Sequence, residues 1–422
     1  MNKNRKLWSW VLYDWANSTF STTVAAGFFP IFFEKYWSNP DDVVQSTYQL
    51  GFANSLASII VALISPFLGA VADRGSAKKK FLIVFAFFGA LMTSGLWIVE
   101  QGNWQLAILI YVLATVGFMS GNIFYDSLLI DVADKKDWDY VSSLGYALGY
   151  LGGGILFSIN VLMYLKPEIF GIPNSTTAIR ISFIMVAVWW AIFTIPIILF
   201  VPEPESKNSV PLRIAFKDGF VQLRTTFSRI REMKVVSTFL LAYWLYIDGV
   251  DTIIKMTIKM ASSLGFQTSD LIVALLMVQF IAFPSAILYN SFGKKIGAKN
   301  AVLIAIGGYS SATFLAYFMT SKLHLFLLAG LIGIFQGGIQ ALSRSLYARI
   351  IPRNKETQFF GFYNMLGKFA SVIGPFLMGM VTLITGNVRL GILSILILFI
   401  LGAVLFYKVD FEKGEKEALK IA

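Results

Sequence analysis

The sequence predicts an all-α multipass membrane protein in which twelve transmembrane helices form two six-helix bundles. Of its 422 residues, 56% are hydrophobic and 14% are charged, and the mean hydropathy of +0.68 is far above that of soluble domains. Twelve apolar runs are long enough to cross a bilayer, which takes about 20 helical residues. A polar stretch at 202–234 divides them six and six, so we expect bundles at 1–201 and 235–422 joined by a cytoplasmic linker.

The predicted spans follow one another closely, which leaves almost nothing for a separate soluble domain. They lie near residues 8–33, 49–72, 81–99, 105–129, 140–165, 178–201, 235–260, 269–290, 301–320, 324–347, 359–384 and 389–407. The first run follows the basic segment MNKNRK, but it is too long for a signal-peptide core and is expected to remain as span 1. The chain has no cysteine, which excludes disulfides and thiol chemistry.

The formal net charge of +11 follows the membrane rather than a nucleic-acid surface. Most of the 35 Lys and Arg residues fall in the tails and in the connections on the N-terminal side of the spans. This positive-inside pattern predicts that both termini are cytoplasmic. We therefore expect an integral protein of the cytoplasmic (inner) membrane that contacts lipid and binds no nucleic acid.

The linker carries apolar residues at helical spacing, among them Leu212, Phe216, Phe227 and Ile230. Basic residues such as Arg224 occupy other positions of the same helical wheel. This pattern predicts an amphipathic helix on the cytoplasmic membrane surface. A regulatory or partner-binding segment is the alternative interpretation.

Polar residues recur in every third span. Spans 3, 6, 9 and 12 have cores without charged residues, Asn or Gln, whereas spans 1, 4, 7 and 10 are the most polar. The polar residues of the latter group are Asp14, Asn17, Asn122, Asp126, Asp248, Asp251, Lys255, Gln336, Gln340 and Arg344. Spans 2, 5, 8 and 11 carry Asn54, Asn160, Gln279, Asn364 and Lys368. This order predicts that each bundle is a pair of inverted three-helix repeats whose first helices line one central cavity.

Ionisable groups inside a membrane indicate a functional site, because they cost several kcal/mol unless they face a partner or water. Asp14, Asn17 and Ser18 lie at i, i+3 and i+4 in span 1, so they share one helix face. We expect that face to look into a hydrated cavity.

Charged residues of the second bundle form stripes on their helices. Asp248, Asp251 and Lys255 lie at i, i+3 and i+7 in span 7. Arg344 of span 10 and Lys368 of span 11 belong to the same bundle, so these acids and bases could converge. Such a network is either part of the functional site or a static ion-pair link between helices.

The twelve-span plan, with cavity helices at 1, 4, 7 and 10, resembles the major facilitator superfamily. The connection between spans 2 and 3, GAVADRGSAKKKFL, is similar to a loop motif of that superfamily, with Gly69, Asp73 and Arg74 at matching positions. Lys78–Lys80 complete the match. The resemblance implies a gate in which Asp73 and Arg74 hold the cytoplasmic helix ends together in one state and release them in the other.

The motif match has two departures. Ser76 and Ala77 stand where the motif has a Gly-Arg pair. In the counterpart after span 8, FGKKIGAK, Lys294 occupies the place of the acid. The sequence therefore predicts one strong latch, in the first bundle.

Three stretches, YDWANSTFSTTV, FQGGIQALSRSLYARIIP and FFGFYNMLGKFASVIGP, resemble the unknown-major-facilitator family, which includes the autophagy-related vacuolar amino-acid effluxer. The resemblance implies a secondary active transporter that works by alternating access, and a monomer is the default for this architecture. It favours export of a small polar metabolite such as an amino acid.

The polar side chains of the cavity suit a small zwitterion or organic anion. Amide and phenol groups that can hydrogen-bond a solute are Asn17, Asn122, Tyr243, Tyr246, Gln336, Gln340, Tyr363 and Asn364. Arg344 or Lys368 is expected to hold a carboxylate.

The balance of charges in the cavity predicts ion coupling. Four acids, Asp14, Asp126, Asp248 and Asp251, face three bases, Lys255, Arg344 and Lys368. A carboxylate without a partner in a poorly solvated site can take up a proton near neutral pH. We therefore expect proton coupling, with Asp251 or Asp14 as the first candidates, and a Na⁺ site built from Asp and Asn oxygens as the alternative.

Other functions are weighed against transport of a small metabolite. The sequence has no catalytic triad, phosphate-binding loop or metal signature, so we expect neither an enzyme nor an ATP-driven pump, and no cofactor or bound metal. An importer of cell-wall fragments or peptides, a lipid or lysolipid flippase, and a non-transporting membrane receptor remain alternatives.

Overall fold

Long helices dominate the structure. The computed structural model describes residues 3–39, 41–203, 210–263, 265–353, 355–369 and 373–421. The first half of the molecule contains α1 (Lys3–Thr19), α2 (Val43–Gly75), α3 (Lys78–Gly95), α4 (Trp104–Val132), α5 (Trp138–Leu165) and α6 (Ser175–Phe200). The path of α1 continues through the π-helical Phe20–Phe28, the short helix Phe29–Phe32 and the π-helical Phe33–Trp37.

A linker helix, α7 (Leu212–Glu232), leads to the second half. The second half contains α8 (Lys234–Ser263), α9 (Thr268–Ile296), α10 (Ala298–Ala316), α11 (Lys322–Ile350), α12 (Glu356–Phe369), α13 (Ile373–Thr385), α14 (Val388–Ser394) and α15 (Leu396–Tyr407), and the tail helix α16 (Phe411–Ile421) follows. Predicted span 11 corresponds to α12 and α13 together, and span 12 corresponds to α14 and α15.

Within the described ranges, eight helical stretches have the length and hydropathy of membrane spans. They correspond to predicted spans 2, 3, 4, 5, 6, 8, 10 and 12. The described residues of the other four predicted spans are also helical, but α1 passes into π-helical turns, α8 carries several charged residues and α10 has only 19 residues. Polar helices of this kind need partners within the protein, because lipid cannot satisfy their polar groups.

Helices contact one another within each half and also across the two halves. In the first half α1 packs against α5 and α6, and α3 packs on α4. In the second half α11 packs against α9 and α10, and α15 packs on α8. The halves meet where α2 runs along α12 and where α5 contacts α9 and α11. The functional side chains described below lie along these two seams.

Both termini lie at one end of the helices, which we call the tail end. Lys3 pairs with Asp134 in the connection between α4 and α5. Lys135 of the same connection pairs with Glu415 of α16 at 2.7 Å. Hydrogen bonding from Lys3 keeps the pKa of Asp134 below its usual value. The tail helix of the second half is therefore tied to the first half at this end.

Glu203, which follows α6, closes the N-terminus of α3. Its carboxylate accepts the backbone N–H groups of Lys79 and Lys80 at 2.9 and 3.0 Å. Partial burial raises the pKa of Glu203, while the helix N-terminus favours its charged form. This contact fixes the end of α6 against the start of α3.

The linker segment forms the helix α7, which packs partly on the protein. Leu212 lies against Gly75 at the end of α2, and the ring of Phe216 lies 6.1 Å from that of Phe67. Val221 and Phe227 remain more than 60% exposed. The helix therefore covers the end of α2 with one side and keeps apolar residues exposed on another, as an interfacial helix does.

Candidate functional site

The centre of the site is Arg344 of α11, which is 1% exposed. Its Nη1 donates to Oδ1 of Asp126 at 3.0 Å. Its Nε donates to the hydroxyl of Ser142 at 2.9 Å, and its Nη2 donates to the carbonyl of Ser142 at 3.0 Å. Asp126 and Ser142 belong to α4 and α5, so this ion pair joins the two halves.

Aromatic rings enclose the same guanidinium. The Cζ atom of Arg344 lies 4.3 Å from the ring centroid of Tyr146, 4.9 Å from that of Trp10 and 5.4 Å from that of Tyr125. Cation–π contacts of this kind contribute up to about 2 kcal/mol when they are desolvated. The guanidinium is thus bound by the chain's own groups, and the open carboxylate clamp expected from the sequence is not how Arg344 is placed in this conformation.

Asp126 is held from the second half at both of its oxygens. Oδ1 accepts from Arg344, and Oδ2 accepts from Nδ2 of Asn364 at 3.0 Å. Asn364 of α12 also donates to the carbonyl of Phe360. Two predicted site residues, Asp126 and Asn364, therefore meet in one network across the seam between α4 and α12.

Asp14 lies beside this pair with weaker contacts. Its oxygens accept from the hydroxyls of Ser18 and Tyr125, each at 3.2 Å. Nη1 of Arg344 is 4.0 Å from Oδ2 of Asp14. The structure thus places two carboxylates, Asp14 and Asp126, beside one buried guanidinium.

Two glycines of α5 make room for this cluster. A Cβ atom on Gly149 would lie 2.7 Å from the hydroxyl of Ser18 and 3.0 Å from Oδ1 of Asp14. A Cβ atom on Gly145 would lie 2.9 Å from the hydroxyl of Tyr125. These glycines therefore do more than allow close helix packing, since they admit polar side chains between α1, α4 and α5.

A second polar layer bridges the halves next to the cluster. The hydroxyl of Tyr150 donates to Oε1 of Gln340 at 2.9 Å. Gln336, one turn away, accepts from the hydroxyl of Tyr309. Tyr146, Tyr150, Gln336 and Gln340 are all half-buried, although the Tyr150–Gln340 bond lies between the halves. These side chains therefore bring amide and phenol groups together where the two halves meet.

Two amides of the first half bond to each other. Nδ2 of Asn17 donates to Oδ1 of Asn122 at 2.6 Å. Asn17 is buried and Asn122 is half-buried. The predicted polar face of α1 thus meets the predicted polar face of α4.

The predicted tyrosines of the second half form a packed aromatic group. The rings of Tyr243 and Tyr363 stack with centroids 4.1 Å apart, and the hydroxyl of Tyr246 lies 2.6 Å from that of Ser343. All three tyrosines are at most 7% exposed. They support the seam beside Arg344 in this conformation.

Asp248 has a partner that the sequence did not suggest. Its oxygens accept the backbone N–H groups of Ile373 and Gly374 at 3.0 and 2.9 Å, and Oδ1 also accepts from Thr252 at 3.1 Å. The carboxylate therefore closes the N-terminus of α13, where the helix dipole favours negative charge. The expected convergence of the span 7 acids with Arg344 is thus wrong for Asp248, because Arg344 pairs with the first half instead.

The remaining charged residues of the predicted stripes are Asp251, Lys255 and Lys368. On α8, Asp251 is half-buried and Lys255 is exposed. The side chain of Lys368 lies outside the described residues.

The predicted gate lies at the tail end. Asp73 accepts the backbone N–H groups of Thr357 and Gln358 at 3.1 and 2.8 Å, at the start of α12. A Cβ atom on Gly69 would lie 2.5 Å from the carbonyl oxygen of Thr357, so α2 and α12 approach closely. Arg74 pairs instead with Asp218 of the linker helix at 2.8 Å.

Lys78 completes this gate with a buried charge cluster. Its Nζ lies 3.0 Å from Glu356, 3.4 Å from Asp131 and 3.7 Å from Asp73. Lys78, Asp73 and Glu356 are all at most 7% exposed. Acids from α2, α4 and α12 thus share one lysine.

Several residues of the site were missed from the sequence. Ser142, Tyr146 and Tyr150 of α5 were not recognised, nor was Glu356 of α12. The stretch GYALGYLGGG does place Tyr146 and Tyr150 at i and i+4 on one helix face between glycines, and this spacing is the signal that could have found them.

Comparisons with known proteins agree over most of the chain. The family model described as vacuole effluxer Atg22 like matches residues 42–419. The uncharacterized MFS-type transporter YxiO of Bacillus subtilis is 38% identical over 406 residues, covering 96% of this chain and 94% of YxiO. Autophagy-related protein 22 of Yarrowia lipolytica is 24% identical over 454 residues, covering 87% of this chain and 76% of that protein.

Solved structures share the fold at low sequence identity. The proton:xylose symporter XylE superposes with a TM-score of 0.70 at 14% identity, covering 97% of this chain and 95% of XylE. FucP in its outward conformation superposes with a TM-score of 0.70 at 12% identity, covering 97% of this chain and 98% of FucP. The human organic anion transporter MFSD10 superposes with a TM-score of 0.70 at 12% identity, covering 96% of this chain and 100% of MFSD10. The predicted fold class is confirmed: the chain is an all-α multipass membrane protein of the major facilitator type.

Proposed function

Since the chain belongs to the Atg22-like vacuole effluxer family of major facilitator transporters, we propose that it moves a small polar metabolite across a membrane by proton-coupled alternating access. The proposed substrate class is an amino acid or a related zwitterion or organic anion. Secondary transport is the activity of the family. The substrate class and the coupling ion are the proposed part.

The observation that carries the proposal is the buried ion pair between Arg344 and Asp126, which joins the halves. An ion pair away from water is stable while both partners are satisfied, and removing one partner leaves an uncompensated charge. A protein of two rocking bundles needs contacts of this kind, which are complete in one state and broken in the other. Asp14, 4.0 Å from the same arginine, provides a second acid through which a proton can shift the balance.

The described contacts between the halves also identify the conformation. They run from Asp73 and Glu356 at the tail end to the Tyr150–Gln340 bond near the middle of the helices. The tail end is therefore closed. Alternating access requires a second state in which these contacts separate.

The half-buried amide and phenol groups beside Arg344 support a polar substrate. Gln336, Gln340 and Tyr150 offer both donors and acceptors, which suits a small solute with several polar atoms. Among similar folds, XylE is a proton:xylose symporter and MFSD10 an organic anion transporter. Both are compatible with a proton-coupled transporter of small polar molecules.

Counterflow in proteoliposomes tests the transport part. Purified full-length protein is reconstituted, vesicles are preloaded with one unlabelled amino acid at a time, and uptake of the radiolabelled compound is followed. We expect saturable counterflow for part of the panel. Binding of a ligand without counterflow would indicate a receptor, and counterflow of short peptides or lysolipids alone would favour those alternatives.

Two further measurements test the site and the coupling. Gln340→Ala should raise the half-saturating substrate concentration about three- to tenfold, as loss of one hydrogen bond predicts. Leu327 is 62% exposed on the same helix, and Leu327→Ala should leave that concentration unchanged.

An imposed pH gradient should drive accumulation of substrate, and a collapsed gradient should stop it. Accumulation that follows a Na⁺ gradient and ignores pH would replace the proton with sodium.

We further propose that the protein is a monomer of the cytoplasmic (inner) membrane with both termini inside. The natural chain has no cysteine, so single cysteines placed at Lys136 and Lys416 report their side of the membrane. Labelling of intact cells by an impermeant maleimide would contradict this orientation.

A further inference from the structure

The two acids beside Arg344 are bound differently. Asp126 has Arg344 at 3.0 Å on one oxygen and Asn364 at 3.0 Å on the other, and both donors come from the second half. Asp14 accepts from two neutral hydroxyls at 3.2 Å, and Arg344 is 4.0 Å away. A guanidinium in direct hydrogen-bond contact stabilises a carboxylate more than the same guanidinium 4.0 Å away does, so the second half stabilises the negative charge of Asp126 more than that of Asp14.

Resting on the proposed proton-coupled transport, we propose that Asp14 takes up the coupling proton while Asp126 stays ionised as the partner of Arg344. The proton comes from a hydronium ion of the solvent, which becomes water, and forms an O–H bond on the Asp14 carboxylate, which becomes neutral. Arg344 then keeps one negatively charged neighbour instead of two. Attraction between the halves falls, and the tail end opens.

The groups around Asp14 allow this assignment. On its own helix lie Tyr13 and Ser18, and α4 contributes Tyr125 and Asp126. From α5 come Tyr146 and Tyr150, α11 contributes Arg344, and α6 contributes the uncharged Trp189, which bonds to the carbonyl of Trp15. Among these groups, Arg344 is therefore the charge that the second half places beside Asp14. Its withdrawal on opening makes protonation of Asp14 easier in the open state.

Gly149 acts in this proposal as a positioning residue for Asp14. An added Cβ atom would meet Oδ1 of Asp14 at 3.0 Å and the hydroxyl of Ser18 at 2.7 Å. Both side chains would have to move, while Asp126 and its two donors contact other atoms. Gly149→Ala should therefore disturb the proton site without removing any charge.

Distances across the tail end report the opening directly. Lys136 and Lys416 are exposed on opposite halves, and replacing both with cysteine allows spin labels to be attached. The open population is measured by pulsed electron spin resonance in nanodiscs between pH 5 and 9, without substrate. Because the open state is the one that binds the proton, its population should rise as pH falls, by up to about tenfold per pH unit.

Variants separate the two acids. In Asp14→Asn the open population should be raised about equally at all pH values. In Asp14→Glu the open population should still depend on pH, with a different pH midpoint. Asp126→Asn should raise the open population but keep the response, because Asp14 still titrates. Gly149→Ala should shift the pH midpoint of the opening response.

The opposite pattern overturns the proposal. If Asp126→Asn abolishes the pH response while Asp14→Asn retains it, the roles are reversed, and if the natural residues give no response, neither acid is the switch. Counterflow at equal pH on both sides needs no proton gradient. It therefore shows transport even where the assignment of Asp14 fails.

Discussion

The connection between α2 and α3 and the connection between α9 and α10 occupy related positions in the two bundles, but they close the tail end in different ways. In the first, Asp73 accepts two backbone N–H groups at the start of α12. In the second, Lys294 lies 5.9 Å from the ring centroid of Tyr140 at the start of α5, and Tyr140 is 41% exposed.

The difference indicates that one connection carries most of the closure. The Asp73 side is buried and includes Lys78 and Glu356, where charges interact strongly because water is excluded. On the other side, Arg349 pairs with Asp139 at 3.0 Å, and this single pair is about one-fifth exposed at both partners, whereas Lys78 and Glu356 are at most 8% exposed. The prediction of a single strong latch remains to be tested by mutation.

The largest expected effect is that of Lys78→Met. It leaves Asp73, Glu356 and Asp131 without their shared cation, which should destabilise the closed tail end by about 3–5 kcal/mol. The spin-label distance between positions 136 and 416 should then show a predominantly open population. Lys80→Met, at an exposed neighbour, is the control, and equal distances in both variants would show that Lys78 does not hold the gate.

Asp73→Asn should have the next largest effect. The amide keeps the size of the side chain but replaces a charged acceptor at a helix N-terminus, a loss of about 1.5–3 kcal/mol. The open population should rise about tenfold or more, since about 1.4 kcal/mol corresponds to a factor of ten. An unchanged distance distribution would contradict a role of this carboxylate in closure.

Gly69→Ala tests the approach of α2 to α12 without touching a charge. The new Cβ atom would lie 2.5 Å from a backbone oxygen, and crowding of this kind costs about 1–3 kcal/mol. Gly51 lies on the same helix with nothing within 4 Å of its Cβ position. Gly51→Ala should therefore leave the opening equilibrium unchanged, and similar opening in both variants would remove Gly69 from the gate.

The smallest effect is expected for Lys294→Ala. An exposed cation–π contact contributes about 0.5–1 kcal/mol at most, so the open population should change less than about fivefold. A change as large as that of Asp73→Asn would show that the two connections share the closure equally.

Much of the architecture was readable from the sequence. The order of polar and apolar spans identified the helices that now contribute Asp14, Asp126, Gln340 and Arg344 to the seam. The loop motif identified Gly69 and Asp73. These patterns are visible because lipid tolerates apolar faces only, so a polar residue in a span marks an interior face.

The sequence did not predict which charged residues pair with each other. Asp126 and Arg344 each lie six residues before the end of a 29-residue helix, Val132 in α4 and Ile350 in α11. The sequence nevertheless suggested that Arg344 belonged with the acids of its own bundle. Only the packing of α11 against α5 and α4 shows that it pairs across the halves.

By itself the sequence determined that this protein is an all-helical membrane protein, and it predicted which helices carry the polar residues of the interior. Tertiary structure decided that Arg344 is enclosed rather than open, that Asp248 closes the start of α13, and that Lys78 gathers three acids. The physical reason is that periodicity along a helix reveals which side must avoid lipid, whereas ion pairs depend on distances of 3–4 Å between helices far apart in the chain.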